Sequence, residues 1–234
     1  RIEIDAELQA KVRLLLQYKS AEIKALLSIF HIDGLTNLGS IKSARLSGQG
    51  GFWLNAGDIM LTDMQYLALA TLLNQGDMSA ESREMAISRL LWNLKGARFK
   101  SDSRSHLDAR GASIFNDGEF LTGELGLQAR SFIDTGHLGV DKCGVIDAPL
   151  MALKGTTSTD GKLSFHLGQT FVYDSSAIEA NGTLAFKLWD VRQINQPIHT
   201  PGSLEFSYDG MHVGVPASKW QHILDTQRVP MDVI

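Results

Sequence analysis

Leu35-Thr36-Asn37-Leu38-Gly39-Ser40-Ile41, Trp53-Leu54-Asn55-Ala56-Gly57-Asp58-Ile59 and Leu72-Leu73-Asn74-Gln75-Gly76-Asp77-Met78 are three copies of one pattern, apolar-x-Asn-x-Gly-x-apolar. A fourth copy, Leu91 to Phe99, carries Asn93 and Gly96 and is stretched, with one extra residue between that Asn and that Gly. The fifth, Ile114 to Phe120 with Asn116 and Gly118, returns to pattern, and the sixth, Phe132 to Leu138, has Asp134 where the others have Asn. Two further copies, Ala152 to Thr156 and Val172 to Ile178 with Asp174, keep the spacing while the Asn and Gly decay. The mean period is about 20 residues, and a period of that length signals a stacked repeat architecture.

Alternating apolar residues recur about ten residues after each turn. Examples are Leu67-Ala68-Leu69, Met85-Ala86-Ile87, Leu125-Gly126-Leu127, Leu163-Ser164-Phe165 and Leu184-Ala185-Phe186. Alternation with period two means strands with one buried face. Short strands repeated with the same turn chemistry must stack on their counterparts in the next repeat. The expected fold is therefore mainly β: a right-handed parallel β-helix of about eight coils, roughly 40 Å long at the usual interstrand spacing. Each Asn shares its parity with the apolar residues and points inward. A buried amide is costly unless bonded, so Asn37, Asn55, Asn74, Asn93, Asn116, Asp134 and Asp174 are expected to form a turn ladder along the rod. The Gly then permits the bend.

Composition agrees with many strands and tight turns: 22 of 234 residues are Gly and only 8% are aromatic, while 44% hydrophobic content supplies a continuous core. A net charge of -4 without a Lys/Arg run argues against nucleic acid as a partner. Cys143 is the only cysteine, so neither an intrachain disulfide nor a thiolate metal cluster can form. No apolar stretch is long enough to span a bilayer, so no membrane insertion is expected. A chain opening at Arg1 suggests a piece of a longer chain flanked by further domains.

The repeat resembles the filamentous-haemagglutinin and contact-dependent-inhibition type of large bacterial exoprotein, over residues 35 to 190. The departures are an insertion of about four residues between Lys100 and Gly111 and the decayed last copies. The resemblance implies a β-helical stalk of a secreted or cell-surface protein, serving adhesion or toxin delivery. It implies no catalytic residues.

Three regions follow. Residues 1 to 34 do not repeat; Ile4, Leu8, Val12 and Leu15 share one helical face and Ile23, Leu26, Leu27 and Phe30 another, so two amphipathic helices are expected as a cap or the end of a preceding domain. Residues 35 to 190 are the β-helix. Residues 191 to 234 read as a C-terminal cap, with a hairpin around Asp209-Gly210 and a helix from Ala217 to Gln227.

None of the seven histidines has metal-ligand spacing. No metal and no cofactor are expected. Asp58, Asp77 and Glu119 follow the turn Gly and should line one edge, which a solvated surface explains better than a cation site does. Trp53 and Phe132 have inward parity and belong to the core. The polar segment Ser101 to Arg110 breaks the period, and an excursion from a solenoid is a common place for a binding surface. Ser101, Arg104, His106 and Arg110 are therefore the candidate contacts for a protein or glycan ligand. The reading is a non-enzymatic binding or display module of a secreted or surface bacterial protein. A polysaccharide-active enzyme and a scaffold of an effector or toxin delivered into a host cell are the alternatives.

Overall fold

The computed structural model describes residues 1–173, 178–188, 200–208 and 211–216. These form one sheet of fifteen strands. In order they are β1 (Ile2–Gln17), β2 (Glu22–Asn37), β3 (Ser40–Asn55), β4 (Asp58–Leu61), β5 (Met64–Asn74), β6 (Asp77–Asn93), β7 (Arg98–Asn116), β8 (Glu119–Asp134), β9 (His137–Leu153), β10 (Thr156–Thr159), β11 (Lys162–Tyr173), β12 (Ile178–Ala180), β13 (Thr183–Leu188), β14 (Ser203–Tyr208) and β15 (Met211–Pro216). Every pairing up to β14 is parallel, between one coil and the next. The chain is a parallel β-helix of about ten coils, against the eight expected.

Each coil bends twice between its turns, where the register shifts. In β7 the straight segments are 98–101, 104–109 and 113–116, so a coil has three faces. Apolar residues of inward parity fill the interior, and the fully buried Trp53, Phe30, Phe99, Phe120, Phe132, Phe165 and Phe186 are its largest apolar groups. The tilted pair Phe99–Phe120 and the stacked pair Phe165–Phe186 link successive coils at centroid distances of 5.0 and 5.1 Å.

The two helices expected over residues 1 to 34 are strands. The four-residue steps from Ile4 to Leu8 to Val12 suit a helix, but four is also even, and Ile2 to Leu14 alternate without exception between apolar and polar. The strand period prevails because β2 and β3 offer β1 a template of the same length. Leu26, placed on the buried face of the second helix, is 61% exposed on β2. At the other end β14 and β15 pair antiparallel, from Ser203 opposite Pro216 to Tyr208 opposite Met211, as the hairpin reading requires. The expected helix from Ala217 to Gln227 lies outside the described residues.

The turn ladder exists and is fully hydrogen-bonded in its middle. Asn37, Asn55, Asn74 and Asn93 each donate Nδ2 to the Oδ1 of the next Asn at 2.7–2.9 Å, and Asn116 donates to Asp134 Oδ1 at 2.7 Å. The second Nδ2 hydrogen goes to the backbone carbonyl of the residue just after the turn-Gly position in the following coil, as from Asn74 to Arg98 O at 3.0 Å. The ladder ends at Asp134: Leu153 occupies its register in the next coil, and Tyr173 follows. The seventh copy is thus one residue earlier than the sequence spacing suggests, and it keeps its turn glycine as Gly155. Asp174 lies outside the described residues.

The turn glycines are needed for close approach rather than for a left-handed bend. A Cβ on Gly76 would collide with the carbonyl oxygen of Gly57 in the coil before it, and Gly57, Gly136 and Gly155 meet their predecessors in the same way. Among the described glycines only Gly96 has a positive φ, 82°. It is one of two extra residues in the turn of the stretched fourth copy, and Ala97 takes the position of the turn Gly there. Gly76→Ala is therefore expected to destabilise by about 3 kcal/mol, since backbone of two coils must separate. Gly96→Ala meets no atom within 4 Å and should cost about 1–2 kcal/mol through its left-handed conformation alone. Urea unfolding of the two variants checks the order.

Candidate functional site

The segment Ser101 to Arg110 is part of β7 and not an excursion. Its extra residues are taken up at the two bends, between Ser101 and Arg104 and between Ala109 and Ser113, where the strand has more residues than its neighbours. Parity then divides the candidate residues. Ser101 is buried, and its hydroxyl is bonded to Ser105 Oγ at 2.6 Å and Thr122 Oγ1 at 2.8 Å, so it braces the interior instead of meeting a ligand. Arg104, His106 and Arg110 are exposed. Arg110 forks onto Asp108, with Nε 3.0 Å from Oδ1 and Nη2 2.7 Å from Oδ2. These hydrogen bonds hold the Asp108 carboxyl below its ordinary value and raise the Arg110 guanidinium.

Asp108 and Arg110 close one end of a long groove. It runs along the rod across β1, β2, β3, β5, β6 and β7 and encloses about 1050 Å³. Its origin lies in one column of outward residues, Lys11, His31, Gln49, Ala68, Ala86 and Asp108, which the register stacks coil on coil. Ala68 and Ala86 are too short to fill the space that Gln49 and Asp108 occupy above and below. The methyl groups and Gly50 make the floor, and Lys11, Arg13, His31 and Asp33 stand at the far end. Nothing in these small residues suggests a ligand when read singly. Only their alignment over several coils does.

A smaller pocket of about 290 Å³ runs the other way from β7, lined by Arg104, His106, Glu124, Cys143 and Lys162 among others. Arg104, Glu124, Cys143 and Lys162 are register partners in four successive coils. Of the exposed residues of β7 singled out in the sequence, Arg110 lines the groove and Arg104 and His106 line this second pocket. Cys143 is exposed.

The acidic edge is aligned as expected, but it is interrupted. Asp58 and Asp77 are register partners; Arg98 comes next, then Glu119, and Arg98 Nε lies 2.8 Å from Glu119 Oε2. The cation that breaks the column relieves like-charge repulsion between coils. No group of three metal-ligating side chains occurs among the described residues. Along this edge Glu119 is paired with Arg98.

Arg83 is a feature the sequence reading passed over. It is 1% exposed, inside the rod, sharing inward parity with Met85 and Ile87. Nε donates to Gln65 Oε1 at 2.5 Å, Nη2 donates to the carbonyls of Met78 and Lys100 at 3.0 and 3.1 Å, and the guanidinium carbon lies 3.7 Å from the centre of the Phe99 ring. Burial pushes its pKa down to about 9, which leaves it charged at neutral pH.

Fold and surface together define a parallel β-solenoid with a longitudinal side groove. No family model, curated protein or solved structure matches the chain.

Proposed function

We propose that the chain is a non-enzymatic binding or display module whose side groove holds an extended polymer, a glycan or a peptide strand, along the rod axis. The groove carries this reading. It crosses six coils, which at the ordinary interstrand spacing is a track of roughly 24 Å, and its floor is apolar and smooth while its ends are charged. An elongated ligand with an apolar face and polar termini fits that distribution. A rod with an internal hydrogen-bonded ladder is also a stiff spacer, which suits display at a distance from the surface that bears it. The likeness of the repeat to exoprotein stalks supports a secreted or surface-attached bacterial setting, in an adhesin or a toxin-delivery protein.

The test is binding of the purified chain to a glycan array and to peptide libraries, beside a variant carrying Ala68→Arg and Ala86→Arg. Both alanines face outward, so the rod should fold unchanged while binding drops at least tenfold as the floor is filled. Binding that survives both substitutions would move the site off the groove. Release of new reducing ends from a bound polysaccharide would replace the display reading with an enzymatic one.

A further inference from the structure

We infer that the third face of the rod, the segment just before each ladder residue, is covered by the same face of a second copy, with the two rods side by side and parallel. In the six coils from β3 to β9 this face presents two outward columns in register from coil to coil. One is Phe52, Thr71, Leu90, Ser113, Ser131 and Leu150, and the other is Leu54, Leu73, Trp92, Phe115, Ile133 and Ala152. None of these residues is charged. In the same coils the first face carries Lys42, Asp58, Asp77, Arg98 and Glu119, and the second carries Arg45, Glu84, Arg104, Glu124 and Asp147. Phe52, Trp92 and Leu150 are 43%, 36% and 42% exposed. The chain along this face also runs apolar without alternation, as in Phe52-Trp53-Leu54, Leu90-Leu91-Trp92 and Leu150-Met151-Ala152. That is the pattern of a parallel sheet buried on both sides. One side is the rod interior, and no described segment packs on the other. The borders are polar: at the turn Trp92 Nε1 donates to Asp117 Oδ2 at 2.6 Å, and at the bend Arg130 Nη2 donates to Ser113 Oγ at 3.0 Å. An apolar centre inside a polar rim is the anatomy of a protein interface.

Area, pitch and relief choose the occupant. Six coils by five residues span roughly 29 by 16 Å in projection, so two such faces together give about the 1,000 Å² that a specific interface needs. A second copy has the same coil spacing, and its rows of side chains keep step with these over the whole length. A two-fold axis along the rod sets the first column of one copy against the second column of the other within each coil, each contact occurring twice. Thr71 then meets Leu73, Ser113 meets Phe115, Ser131 meets Ile133 and Leu150 meets Ala152, a short side chain against a longer one each time. Phe52 meets Leu54 and Leu90 meets Trp92, apolar on apolar. Laid antiparallel about its middle, the face would instead put Phe52 on Leu150 and Thr71 on Ser131, long on long and short on short.

Sedimentation of the purified chain should give twice its 25.7 kDa mass, and the dimer should persist at high salt because no ion pair holds it. Leu73→Lys with Ile133→Lys, and separately Thr71→Arg, should each weaken self-association at least tenfold while circular dichroism keeps the β signature, since all three side chains point out of the rod. Val145→Lys, on the second face, should leave the dimer intact. A bismaleimide of about 10 Å, the usual separation of packed sheets, should join two copies of Leu150→Cys in a Cys143→Ser background. It should not join the parent chain, whose exposed Cys143 is on the second face. A monomeric parent chain, a dimer dissolved by salt, a dimer unaffected by both third-face variants, its loss with Val145→Lys, or no cross-link through Leu150→Cys would each overturn the inference.

Discussion

Asn74→Leu is expected to remove about 4–6 kcal/mol of stability, because it leaves three buried polar groups without partners at roughly 1–3 kcal/mol each. Asn74 is fully buried; its Oδ1 accepts from Asn55, and its Nδ2 donates to Asn93 Oδ1 and to Arg98 O. Leu has the branching and the number of side-chain heavy atoms of Asn, so no cavity opens, and the crowding by its larger methyl groups acts in the same direction as the lost hydrogen bonds. Gln75→Leu, one residue on and exposed, should change stability by less than about 0.5 kcal/mol. Urea unfolding of both variants measures the difference. Equal effects would mean that the ladder contributes nothing beyond filling space.

The ladder was legible in the sequence because it repeats a rare residue at a fixed position, and each copy confirms the others. The interior was legible for the same reason: Trp53 and Phe132 were placed by parity and are buried. The N-terminal coils were misread because Ile4, Leu8 and Val12 satisfy two periods at once. The strand period was decided by Ala6, Ala10 and the intervening charges, weak signals singly. Ser101 to Arg110 was misread for a related reason. Extra residues in a repeat look like a loop, but a solenoid with bends can absorb them at its corners, and parity then buries Ser101 while it exposes Arg104 and His106. The groove could not be read from chemical types, since it is made by the shortness of Ala68 and Ala86 between longer neighbours. Arg83 was readable in principle. It stands two residues before Met85 on the same face, and a charged residue of inward parity is a direct prompt to ask what receives it.

Asp134→Asn should stabilise the rod, increasingly so as pH rises. Asp134 is buried at the end of the ladder, accepting from Asn116 at Oδ1, while Oδ2 has no partner. Burial raises its pKa from 3.8 to about 7, against the lowering effect of the hydrogen bonds from Asn116 and the Gly136 amide. The folded state therefore holds a proton between about pH 4 and pH 7 that the unfolded chain has released, and stability must fall as pH climbs through that window. At 1.36 kcal/mol for each pH unit, the loss by pH 8 is on the order of 4 kcal/mol. An Asn at this position has no charge to neutralise. Its Nδ2 would sit as Asn116 Nδ2 does, which donates to His137 O at 3.1 Å, with Thr156 O the corresponding carbonyl one coil on. The variant and the parent chain should be close in stability at pH 4 and separate by several kcal/mol at pH 8, read from urea midpoints across the range. A gap independent of pH would mean that Asp134 is ionised in the folded rod and that the unpartnered oxygen meets a cation or solvent. A parent chain more stable at pH 8 than at pH 4 would reverse the sign and remove the neutral carboxyl from the account of how the ladder ends.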